Sequence, residues 1–137
     1  MIQLAAACPD SGFCVAVGEY EDTSSAFVGL IETMSSGTWS AMTMPVAGLN
    51  PPAVPPQGSL SDVKCPTSGS CIAVGSYYVS GSEGLIETLS SGTWSATTAP
   101  LSGLSPAAGA TPDAYLARLA CSSSGSCVAV GGYTDSS

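Results

Sequence analysis

The residues able to do chemistry are few, and they recur at fixed places. Six cysteines form three pairs, Cys8/Cys14, Cys65/Cys71 and Cys121/Cys127, each spaced C-x5-C. There is no histidine, and Lys64 and Arg118 are the whole cationic complement. A Ser-His-Asp or Cys-His nucleophile therefore lacks its base. Glycoside hydrolysis needs only two carboxylates, which brings Glu32 and Glu87 forward. Both sit in the string Ile-Glu-Thr, at residues 31–33 and 86–88. Equivalent places in two copies of one repeat point to a solvated strand face, so no catalytic residue is assigned. No glycine loop of the phosphate-cradling kind is present, and no cofactor is expected.

The cysteine spacing has three readings. Zinc sites usually take C-x2–4-C, often with histidine, which this chain lacks, so no metal is expected. Free buried thiols are the second reading. Disulfides are the expected one, because each pair brackets a predicted tight antiparallel turn. Residues so placed have Cα atoms about 4.5–5.5 Å apart, inside the range that a disulfide accepts. Each bond adds roughly 2 kcal/mol on the chain-entropy argument, and three in one small chain imply an oxidising compartment.

The cysteines belong to a longer repeat. Cys8, Cys65 and Cys121 recur after 57 and 56 residues, and Trp39 and Trp94 stand 55 apart. In the second copy four short strands are predicted, at about 60–65, 71–78, 84–89 and 94–99, with Gly, Ser and Pro at each break. The short breaks make them antiparallel hairpins. No stretch carries apolar residues at helical spacing. In the second strand, Ile72 and Val74 point one way and Cys71, Ala73, Gly75 and Tyr77 the other. Both sets are small or apolar, so both faces need covering.

A four-stranded unit repeated at this length, buried on both faces, is expected to be a β-propeller blade. The fold class expected is all-β, a partial propeller of two full antiparallel blades plus half of a third. The first blade covers 1–45 and the second 59–99, with Pro-rich crossings at 46–58 and 100–114. Residues 115–137 supply the first half of the third. A closed propeller needs about 4–8 blades. The chain is thus expected to be a fragment of a longer protein or to close by self-association. A β-sandwich or solenoid of the same hairpins is the alternative architecture.

The net charge of −8 argues against nucleic acid and anionic membranes as partners, since both need a basic footprint. No apolar run is long enough to span a membrane. Residues 4–8, Leu-Ala-Ala-Ala-Cys, look like a lipoprotein cleavage box, but they align with the first strand of the other copies.

The strings Ile31-Glu32-Thr33-Met34-Ser35-Ser36-Gly37-Thr38-Trp39 and Ile86-Glu87-Thr88-Leu89-Ser90-Ser91-Gly92-Thr93-Trp94 resemble the Asp-box, or BNR-type, propeller repeat. Gly-Thr-Trp matches the end of that motif; its Asp is absent. Together with C-x5-C-[VI]-A-V-G-x-Y, the pattern also resembles repeats of secreted actinobacterial proteins. The resemblance implies a propeller located outside the cell or on its surface. Asp-box repeats also occur in sialidases, which the resemblance associates with an arginine triad and a Tyr nucleophile. This chain has one arginine.

Trp39 and Trp94 are expected to pack in the core. The face bearing the longer loops is the expected binding face. It carries Glu19, Tyr20, Glu21 and Asp22 from the first copy, Tyr77, Tyr78 and Glu83 from the second, and Tyr133 and Asp135 from the third. Such groups suit a sugar, a protein or a calcium ion, although the spacing matches no calcium loop. The functional expectation is a non-enzymatic extracellular binding scaffold. The alternative is a piece of a sialidase- or glycosidase-like propeller whose catalytic residues lie elsewhere.

Overall fold

The structure, a computed structural model, describes residues 2–123 and 125–137. Among them every helix or strand is a strand. β1 (Ile2–Asp10), β2 (Phe13–Glu21), β3 (Phe27–Ser35) and β4 (Thr38–Thr43) form a first sheet in sequential order. β5 (Gln57–Thr67), β6 (Ser70–Tyr78), β7 (Ser82–Ser90) and β8 (Thr93–Thr98) form a second. β9 (Tyr115–Cys121) and β10 (Cys127–Gly132) pair as a third. All the ladders are antiparallel. The chain is therefore all-β, with sheets of four, four and two strands.

The turns explain the Ser-Gly pairs. Ser36 and Gly37 have φ of 51° and 80°, and Ser91 and Gly92 have 51° and 78°. Two successive left-handed residues match the right-handed twist of the strands that they join. Disulfides Cys8–Cys14, Cys65–Cys71 and Cys121–Cys127 close the first hairpin of each sheet, with Cα atoms 4.1 Å apart in each. A small all-β chain with three disulfides is typical of extracellular proteins.

The same hairpins share an irregularity. The register slips between Gln3 and Ala5, between Leu60 and Asp62, and between Val130 and Gly131. In the second sheet Gly75 lies against this bulge. A Cβ there would stand 2.0 Å from the Ser59 carbonyl oxygen, which accounts for the glycine in the Ala-Val-Gly string.

The core lies between the first and second sheets. Val15, Val17 and Ile31 meet Leu60, Val63, Leu85 and Leu89. The segment 46–58 is part of this core and covers one face of the second sheet. Leu49 and Ala53 are buried in it. The Asn50 N–H donates to Thr98 Oγ1 at 3.0 Å, and the Tyr77 hydroxyl donates to the Pro51 carbonyl at 2.8 Å. On the other face, β9 lies over the second sheet and buries Leu119. The second sheet is thus covered on both sides, and Cys71, Ala73 and Val74 are all buried.

Two expectations need correction. Glu87 is not on a solvated face: it is fully buried, because its side of β7 also carries Leu85 and Leu89 and turns toward the covered core. Trp39 is not core. It is 53 % exposed, against 8 % for Trp94. Segment 46–58 covers this face of the second sheet, and no described residue takes that place on the first.

Candidate functional site

A cleft of about 320 Å³ opens where the loop ends of the first and second sheets meet. The first sheet supplies Glu19, Ser25, Ala26 and Phe27. The second supplies Gln57, Ser59, Ser76, Tyr78 and Ser82, with Gly58 and Tyr77 behind them. Phe27 is 50 % exposed and Tyr78 52 %. The lining thus includes two half-exposed rings together with serines, one amide and one carboxylate. Apolar walls with a few placed polar groups are the usual make-up of a small-molecule site.

Of the residues singled out from the sequence, Glu19, Tyr77 and Tyr78 reach this cleft. Tyr77 is 1 % exposed, and its hydroxyl is engaged. Its one proton goes to the Pro51 carbonyl, which leaves Thr98 as the donor in the 2.8 Å contact between the two hydroxyls. Burial and the nearby Glu83 carboxylate push the Tyr77 phenol above its usual range.

The other candidates lie apart from the cleft. Tyr20 contacts Thr43 Oγ1 at 2.8 Å. Glu21 is exposed at the end of β2. Asp22 organises its own loop, accepting the Ser24 hydroxyl at 2.6 Å and the N–H groups of Ser24 and Ala26 at 2.7 and 3.0 Å. Those bonds, that from the Ser24 hydroxyl first, hold its carboxyl below the ordinary range. Glu83 is half-buried on β7, and desolvation pushes its carboxyl up. Tyr133 donates to the Pro106 carbonyl at 2.7 Å, and Asp135 accepts from the Ser137 hydroxyl and N–H.

Phe27, Gln57 and the serines were not legible as site residues. Phe27 reads as an ordinary strand residue, and Gln57 closes a Pro-rich stretch. They meet only because the two sheets stack. Among the described residues, no three of His, Cys, Asp and Glu come together to hold a metal ion.

Glu87 is the most perturbed group. Neither of its carboxylate oxygens has a hydrogen-bond partner among the described residues, and its cross-strand neighbours are Ala73 and Ala96. Burial pushes its carboxyl up to about 8. A raised carboxyl is the hallmark of a general acid, but this one is sealed from solvent. Its counterpart Glu32 lines a different place, beside Tyr20 and Met42 on the first sheet.

No protein-family model matches the chain, and neither the curated proteins nor the solved structures contain a significant match.

Proposed function

We propose that this chain is a secreted, non-enzymatic β-propeller repeat segment that acts as a binding scaffold, and that a carbohydrate occupies the cleft between its first two blades. Stacked antiparallel sheets with equivalent hairpins and disulfides support the propeller reading. Further blades, from a longer chain or a second copy, are its expected partners. The observation that carries the ligand class is the exposed pair Phe27 and Tyr78 beside the serine-lined cleft. Aromatic faces stack on the C–H faces of sugar rings, while Ser25, Ser59, Ser76, Gln57 and Glu19 suit sugar hydroxyls.

The test is calorimetric titration against a panel of neutral oligosaccharides. Saturable binding by the wild type, lost in Phe27→Ala/Tyr78→Ala with an unchanged melting temperature, is the expected result. Binding that survives the double substitution, or none across the panel, overturns the proposal.

A further inference from the structure

Tyr20, Tyr77 and Tyr133 hold equivalent places in the three repeats. Two of them do the same thing. Tyr77 donates to the Pro51 carbonyl at 2.8 Å, and Tyr133 donates to the Pro106 carbonyl at 2.7 Å. Both prolines end the same kind of tetrapeptide, Gly48-Leu49-Asn50-Pro51 and Gly103-Leu104-Ser105-Pro106. Gly48 and Gly103 even share φ, at 87° and 86°. In the second sheet Thr98 adds an acceptor for the Asn50 N–H, and Leu49 enters the core that contains Leu85.

The first sheet carries the same receptor without the segment. Tyr20 contacts Thr43 at 2.8 Å, as Tyr77 contacts Thr98 at 2.8 Å. Leu30 takes the place of Leu85, and Trp39 that of Trp94. No carbonyl reaches the Tyr20 hydroxyl among the described residues. Instead a groove of about 380 Å³ opens there, lined by Tyr20, Leu30, Glu32, Ala41, Met42 and Thr43.

We propose that this face of the first sheet is a docking site for a Gly-Leu-(Asn/Ser)-Pro turn from another repeat unit, in the conformation that residues 48–51 and 103–106 adopt. Tyr20 donates to the proline carbonyl. Thr43 accepts the N–H of the residue before the proline. The leucine side chain lies on Leu30, and the segment covers Trp39. This site is on a different face from the cleft and stands whether or not the cleft binds sugar.

The test uses a fluorescein-labelled synthetic peptide of residues 46–58, titrated with the intact chain by fluorescence polarisation. Saturable one-to-one binding is expected. Tyr20→Phe, which removes only a hydroxyl, should weaken it about three- to tenfold, the value of one hydrogen bond. The Leu49→Asp peptide should not bind. Absence of saturable binding at millimolar chain overturns the proposal, as does binding that Tyr20→Phe leaves unchanged. Sedimentation of the chain alone separates the other occupant. Self-association lost in Met42→Asp, whose methionine lines this groove and is 41 % exposed, would assign the face to a second copy and overturn the peptide.

Discussion

The Asp62 carboxylate accepts the backbone N–H of Leu119 at 2.8 Å, across 57 residues of chain. The same carboxylate takes the Val63 N–H and the Lys64 ammonium, each at 2.9 Å. Desolvation pushes this carboxyl up, but the bonds from Lys64, Leu119 and Val63 outweigh it and hold it below 3.8. Asp62 thus pins β9 to the second sheet.

Asp62→Ala leaves the Leu119 N–H without its acceptor in a buried place. A loss of about 1–3 kcal/mol in unfolding free energy is expected, measured by urea denaturation at neutral pH. The pH sign follows from the lowered carboxyl. The unfolded state binds the proton first, so the stabilisation is full above the ordinary pKa of 3.8 and is lost as pH falls through the lower folded value. Thermal melts of wild type should therefore drop more steeply below about pH 4 than those of Asp62→Asn.

Glu87 has the opposite sign. Its folded carboxyl is raised from 4.5 to about 8, so the folded state keeps a proton that the unfolded state has released. Stability is full below 4.5 and falls as pH rises toward about 8. The fall amounts to a few kcal/mol on the scale of about 1.4 kcal/mol per unit. Glu87→Gln cannot titrate at this position, so its denaturation midpoint should fall much less over that interval, with the raised Glu83 carboxyl still contributing. Parallel pH profiles for the two proteins would show that Glu87 is not buried in a neutral form.

Gly75→Ala tests the bulge. The new methyl would meet the Ser59 carbonyl at 2.0 Å and Leu60 Cα at 2.8 Å, both backbone atoms. A loss on the order of 3 kcal/mol is expected, read as a lower chemical-denaturation midpoint. Ser76→Ala, one residue on, should change the midpoint by no more than about 0.5 kcal/mol.

The strands and hairpins were legible because their signals are local. Ser36-Gly37 and Ser91-Gly92 demand the turns that they adopt, and each cysteine pair brackets its own hairpin. What stayed hidden depends on position in the stack. Trp39 and Trp94 share the context Gly-Thr-Trp-Ser-Ala, yet one is exposed and the other buried. Glu32 and Glu87 share Ile-Glu-Thr, yet only Glu87 is sealed. The segment 46–58 makes that difference. Its prolines mark a crossing and do not reveal a cover whose Leu49 and Ala53 enter the core. The cleft was hidden for the same reason, since Phe27 and Tyr78 belong to different sheets.

The two tryptophans also give the most direct measurement. Trp39→Phe and Trp94→Phe each leave one indole, whose fluorescence can be quenched with acrylamide in the native state. The stacked arrangement, one face covered in the second sheet and open in the first, requires the protein that retains Trp39 to be quenched several times more steeply than the one that retains Trp94. Equal quenching of the two would contradict it.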